Sequence, residues 1–240
     1  MAQQAVLTEV MREQWVPMTF EEFLDWAPDE GQAEWVDGWG IAYMSNSARH
    51  ERVLDFLRSL IGLYLMITGR GELFSTSLIM RVRSRPAGRT PDLFVVLTEH
   101  RDRVQRQWHD GAADFALEVL SDSSTQRDLD VKLHEYETEG LPEYLVADGR
   151  EEHHTFLWHR RGADGSFRLL EPDAEGRYHS EVLPGFWIDP SWLRQDPLPN
   201  PLLLIRQIIP ATWRLFVGTD EPPGRDANGT DVSRESDTHA

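Results

Sequence analysis

Three short apolar runs, Leu93–Leu97, Phe115–Leu120 and Tyr144–Ala147, limit the possible folds of this chain more than any other feature. None shows the regular polar alternation of a strand with one wet face, so each reads as a strand buried on both sides. A helix is expected between the last two, over roughly 126–139, started by Ser123, Ser124 and Thr125 and ended by Gly140 and Pro142. Strands of this kind need helices to cover them. The chain has 240 residues and is 40% hydrophobic, enough to build that core.

The flanking patterns supply the covering elements. Thr19 and Glu22 have the spacing of a capping box, opening a short helix that stops at Pro28. Residues 33–44 read as a hairpin turning at Asp37-Gly38. Val53, Leu54, Leu57, Leu60, Ile61, Leu65 and Met66 recur at helical spacing, predicting a helix over 48–68 that ends at Gly69. Residues 72–85 read as one strand, with Leu78, Met80 and Val82 on one face and Arg81, Arg83 and Arg85 on the other, broken at Pro86-Ala87-Gly88. Residues 153–188 read as a β meander. The class is α/β: a mixed sheet flanked by helices, with an antiparallel β elaboration. The expected organisation is a lead-in over 1–17 and a domain over 18–196. A Pro-rich linker and apolar helical segment, interrupted at Pro210, would follow over 197–217, then a disordered acidic tail over 218–240.

Composition removes several chemistries. Without cysteine there is no disulfide, no Cys-based zinc site and no thiol nucleophile. With no basic leader before an apolar stretch and no long apolar run, the expectation is an unexported, cytoplasmic protein with no membrane partner. The formal charge of −17 opposes nucleic acid at long range and favours a protein or small-molecule partner. Locally the balance reverses. Between Thr76 and Trp108 there are seven arginines (81, 83, 85, 89, 101, 103 and 106) against three acids, a balance of +4. Arg81, Arg83 and Arg85 on one strand face have two readings: a track for a phosphate backbone, or an edge strand protected by charge.

The residues that point to chemistry are those that break the pattern around them. Asp92 sits at the mouth of one apolar strand, and Glu118 lies inside another. A carboxylate in such a place costs several kcal/mol unless it is paired or metal-bound. Glu118 therefore has two readings, an ion pair with an arginine or a share in a cation site. Two carboxylates at adjacent strand ends repel, and a divalent ion with oxygen preference, Mg²⁺ or Mn²⁺, relieves both. Of the 24 Lys and Arg residues, Lys132 alone is lysine. Either one lysine survived by chance, or the position needs a compact ammonium where a guanidinium cannot serve. His153-His154 and His159 lack the spacing of a helical zinc motif.

Read together, several strings resemble the restriction endonuclease family often called Uma-two, within the PD-(D/E)XK nuclease superfamily. They are Met18–Phe23, Glu34–Gly38, Arg49-His50, Pro91-Asp92-Leu93, Glu118–Ser121, Lys132-Leu133 with Tyr136, Gly140–Tyr144 and Leu183–Gly185, in order over about 18–193. The resemblance implies a restriction-endonuclease-like fold and an endonuclease that hydrolyses DNA with Mg²⁺ or Mn²⁺. Asp92 matches the motif aspartate and Glu118 the acidic residue of the D/E-X-K element. Leu120 stands where the usual lysine would be, and Lys132 from the next helix takes that part. Glu34 matches a further acidic position that joins the metal shell. His50, Arg81, Arg83 and Tyr136 are candidates for substrate contact, with packing or helix-start roles as the alternatives for His50 and Tyr136. Cutting two strands suits a homodimer. The competing hypothesis is a catalytically weak or inactive nuclease-fold protein that binds a protein partner through 202–217. A third is a hydrolase of another phosphate ester.

Overall fold

The computed structural model describes residues 13–26, 32–43, 47–76, 78–120, 127–148, 150 and 153–218. Strand β1 (Glu13–Pro17) leads into helix α1 (Phe20–Trp26), whose start is closed reciprocally. The Thr19 N–H donates to Glu22 Oε2 at 2.8 Å, and the Glu22 N–H to Thr19 Oγ1 at 3.1 Å. Such a cap contributes about 1 kcal/mol. The hairpin of β2 (Gln32–Val36) and β3 (Trp39–Tyr43) turns at Asp37-Gly38, where φ is 49° and 88°. Two positive φ values suit the right-handed twist of a two-residue hairpin turn.

Helix α2 (Ala48–Thr68) begins at an N-cap, Ser47, and stops at Gly69, whose φ of 65° an L side chain would resist. Strand β4 (Gly71–Ser75) follows, then β5 (Ile79–Val82), β6 (Ala87–Arg89), β7 (Leu93–Leu97), β8 (Trp108–Asp110) and β9 (Phe115–Leu120). A π-type turn over Arg127–Lys132 runs into α3 (Leu133–Glu139), which returns to β10 (Glu143–Asp148). Then come β11 (Phe156–Arg161), β12 (Phe167–Leu169), β13 (Tyr178–His179) and β14 (Trp187–Ile188). Helices α4 (Pro201–Ile208) and α5 (Pro210–Val217) complete the described chain.

The strands form two six-stranded sheets, ordered β1-β3-β2-β6-β5-β8 and β12-β11-β10-β9-β7-β4, with β13 and β14 as a separate pair. Most pairs are antiparallel, whereas β9 with β10 and β5 with β8 are parallel, so the expected mixed α/β class holds. In the second sheet the period of two sorts side chains cleanly. Leu93, Val95, Phe115, Leu117, Val119, Leu145 and Ala147 pack on the side of α2. Phe94, Val96, Ala116, Leu120, Tyr144 and Val146 pack on the other side with Met80 and Tyr136. Asp92 and Glu118 have the parity of this second set, which directs both toward α3.

Four expectations need correction. Residues 13–17, expected in the lead-in, form a strand because β3 offers an edge that satisfies their backbone. The strand expected over 72–85 divides: β4 pairs with β7 in one sheet and β5 with β6 in the other. The Ala87-Gly88 break is itself a strand, too short to display periodicity. The Pro-rich stretch near 200 does not lead to a detached segment, since Leu204, Ile205 and Ile208 of α4 join the core against α2. The interruption at Pro210 is as expected. Residues 1–12, 121–126 and 219–240, which include Ser123, Ser124, Thr125 and nearly all of the expected tail, lie outside the described residues. Among the described residues no helix is long and apolar enough to cross a membrane.

Candidate functional site

Strands β7 and β9 pair antiparallel with Leu93 opposite Leu117, so one further step of register sets Asp92 opposite Glu118. Their carboxylates leave the same face of the sheet, and both residues are buried. Asp92 Oδ2 accepts the Val119 N–H at 2.7 Å, which ties it to the strand that carries Glu118.

The π-type turn ends at Lys132 and aims its side chain at this face. Lys132 Nζ lies 2.8 Å from Glu118 Oε1 and 3.0 Å from Glu34 Oε1. The ammonium thus joins a carboxylate from each six-stranded sheet. One helical turn later, the Tyr136 hydroxyl donates to the same Glu118 oxygen at 3.4 Å. Burial, with the Glu118 carboxylate beside it, holds the Tyr136 phenol well above its usual range. It is therefore a hydrogen-bond donor at neutral pH. Being fully buried, Tyr136 fits a positioning part and not the substrate contact considered for it.

A second line of charge stands behind Glu34. Strand β2 pairs with β6 so that Trp35 faces Gly88, and the next step sets Glu34 opposite Arg89. Arg89 donates to Glu34 Oε2 at 2.7 Å and grips Glu135 of α3 through Nε and a second nitrogen, each at 2.7 Å. Burial works against the charged guanidinium, but Glu34 and Glu135 outweigh it and hold Arg89 well above its ordinary value. Neither Arg89 nor Glu135 stood out in the sequence. Arg89 lies in a three-residue strand beside a turn, and Glu135 is one acid in a Glu-rich helix.

His50, in the first turn of α2, is also part of this cluster. It is 2% exposed, its Nε2 lies 3.9 Å from Asp92 Oδ2, and among the described residues neither ring nitrogen has a hydrogen-bond partner. The donor chemistry of Asp92, Glu118 and Glu34 suits a hard divalent cation. Orphaned ring nitrogens beside Asp92 add a place where a polar partner is missing. The residues present thus fit Mg²⁺ or Mn²⁺ in kind. Among the described residues, however, no three His, Asp or Glu side chains already converge on one point, because Lys132 occupies the space between the glutamates.

The expected arginine face is largely consumed within the fold. Arg89 is buried as above, Arg83 pairs with Asp110, Arg85 with Asp37 and Glu135, and Arg101 with Glu72. The expected alternation holds, with Leu78, Met80 and Val82 buried and Arg81 and Arg83 exposed, and the Arg81 guanidinium lies 5.1 Å above the Phe20 ring. Arg81, Arg83 and Arg85 line a groove of about 1080 Å³ together with Phe20, Trp35 and Asp110. His159 stacks on Tyr144 with centroids 6.2 Å apart.

The chain matches the family Uma2, described as "Putative restriction endonuclease", over residues 20–191. Among solved structures it is similar to the crystal structure of "a putative nuclease belonging to DUF820" from Anabaena variabilis ATCC 29413. That likeness has a TM-score of 0.60 at 18% identity and covers 74% of this chain and 98% of the other. At that identity it speaks for the fold alone. None of the curated proteins matches the chain.

Proposed function

Because the chain belongs to the Uma2 family of restriction-endonuclease-like proteins, we propose that it is a metal-dependent endonuclease that hydrolyses DNA phosphodiester bonds. The observation that carries this reading is the buried bridge from Lys132 to Glu118 at 2.8 Å and Glu34 at 3.0 Å, with the buried Asp92 one register step across the strand pair from Glu118. A Mg²⁺ or Mn²⁺ ion held by Asp92 and Glu118, with Glu34 alongside, would polarise the scissile phosphate and activate water. The protein's own groups do the rest. Lys132 presents an ammonium to the charge that develops on phosphate oxygen, and Glu34 fixes where that ammonium stands. Arg89 and Glu135 hold Glu34 from behind, and the protonated Tyr136 holds Glu118 from the side. Burial of these groups strengthens each of their interactions.

DNA reaches an acidic protein only weakly, and binding should depend on salt, with Arg81 at the groove rim as a phosphate contact and Arg83 joining it by exchanging Asp110 for phosphate. The decisive measurement is nicking of supercoiled plasmid with and without Mg²⁺ or Mn²⁺. Nicking should require the metal and vanish in Asp92→Ala and in Lys132→Ala. Undiminished cleavage by both variants would sink the assignment.

A second reading has its own support. The Glu34–Lys132–Glu118 bridge already closes the cluster without a metal, and the net charge is −17. On this reading the nuclease fold serves as a binding module, with the exposed Leu202, Leu203, Leu215 and Phe216 meeting a protein partner. A folded protein that gives no heat with Mn²⁺ in calorimetry would favour it.

A further inference from the structure

Resting on the divalent-cation reading above, the geometry points to His50 as a nitrogen ligand that shares the cation with Asp92, and hence to a site selective for Mn²⁺ over Mg²⁺. The first ground is the isolation of the ring. Both nitrogens of His50 are buried without a hydrogen bond, an arrangement that costs about 1–3 kcal/mol for a polar group left unmatched. The other buried histidines show how this chain treats a ring that serves packing. His109 engages the Gly111 carbonyl through Nδ1 at 3.0 Å. His159 has a backbone bond at Tyr144 and stacks on the Tyr144 ring. His50 has no such anchor on either nitrogen.

The second ground is distance. His50 Nε2 and Asp92 Oδ2 are 3.9 Å apart, too far for a hydrogen bond. Two donors each ~2.1 Å from one ion stand ~3.0 Å apart when adjacent and ~4.2 Å apart when opposite. The observed gap falls inside that interval, a separation that two ligands of one shared ion can have.

The third ground is how the ring is held. Ser47 Oγ accepts the His50 N–H at 3.2 Å, fixing the first turn of α2. The neighbouring Arg49 points elsewhere, donating to the backbone carbonyls of Leu193 and Gln195. This pins the helix start from outside while His50 turns toward Asp92. The two members of the Arg49-His50 string thus have separate tasks, one structural and one directed at the site.

A ligand set of Asp92, Glu118 and imidazole is mixed oxygen and nitrogen. Mg²⁺ prefers an all-oxygen octahedron, whereas first-row transition ions accept imidazole readily. Mn²⁺ is therefore the ion this pairing favours, and it also supplies a readout independent of cleavage. The experiment is electron spin echo spectroscopy of Mn²⁺ added to the full chain, prepared once at natural abundance and once with ¹⁵N-histidine. The expected result is a directly coupled nitrogen that changes with the histidine label and disappears in His50→Gln. Mn²⁺ affinity should fall about tenfold or more in that variant, with Mg²⁺ affinity much less affected. Bound Mn²⁺ with no histidine coupling in the labelled wild type would overturn the role of His50 and leave the cation reading standing. No bound Mn²⁺ at all would overturn both. Because the labelled wild type decides the matter, the result does not depend on the variant folding.

Discussion

Glu118 and Glu143 stand in adjacent strands of the same sheet, both buried and both in apolar company. Glu143 is saturated by dispersed donors. It accepts from Ser180 Oγ at 2.6 Å, the Glu181 N–H at 2.8 Å, Arg160 Nε at 3.2 Å and the Trp158 indole at 3.3 Å. These contacts pin the 179–183 turn to the face covered by α2. Glu118, on the opposite face, shares one ammonium with Glu34 and lies opposite Asp92, whose Oδ2 is 3.9 Å from His50 Nε2. Glu34 in turn is held by Arg89, which also grips Glu135. The contrast separates two uses of a buried acid. A carboxylate ringed by fixed dipoles is an anchor, and one that shares a single ammonium with a second carboxylate is a place for a cation.

Lys132→Met puts the largest strain on that contrast. It removes the charge between two buried carboxylates, and breaking such a pair costs about 3–5 kcal/mol. Urea unfolding without metal should show that loss. Millimolar Mn²⁺ should then raise the melting temperature of the variant more than that of the wild type, because the ion replaces the missing charge. Equal shifts in the two proteins would mean that Glu118 is an anchor like Glu143.

Glu143→Gln tests the other side. Shape is kept, but an amide nitrogen now faces donors that need an acceptor, so about 1–3 kcal/mol should be lost. None of it should return with Mn²⁺, and Mn²⁺ affinity in calorimetry should match the wild type. A change in affinity would show that the two faces of the sheet are coupled.

These two glutamates also mark how far the sequence could be read. Both break apolar patterns, and both lie in strings that resemble family motifs, so pattern alone does not tell anchor from site. The capping box at Thr19, the turn at Asp37-Gly38 and the stop at Gly69 were legible because each depends on residues a few positions apart. Asp92, Glu118 and Lys132 were legible as anomalies, an acid in a buried strand and a lone lysine. Arg89 and Glu135 were not, since what sets them apart is a contact between residues 46 positions distant. The division of 72–85 between two sheets was equally hidden, because both strands are apolar where buried and nothing local tells one sheet from the other. The charge balance around Asp92 misled in the same way: Arg83, Arg85, Arg89 and Arg101 neutralise acids brought in from remote segments.

Acid should separate the two regions by a smaller margin. His159 faces Tyr144 across the β10–β11 pair, and Tyr144 packs edge-on against Tyr136, so His159 lies in the layer behind Glu118 and not behind Glu143. Burial lowers its pKa, and the folded protein keeps the ring neutral further into acid than the unfolded chain, which titrates near ~6.5. With the folded value depressed, the stability contributed is complete above ~6.5 and is lost as pH falls through the lowered folded value. His159→Phe keeps the aromatic stack and removes the proton. The acid limb of its stability curve below ~6.5 should be shallower, by at most the ~1.4 kcal/mol per pH unit that one proton contributes. Glu143→Gln should leave the part of the slope due to His159 in place, since Glu143 is on the other face. If His159→Phe instead reproduced the wild-type slope, the ring would already be charged in the fold, and the layer behind the site would be as wet as the surface.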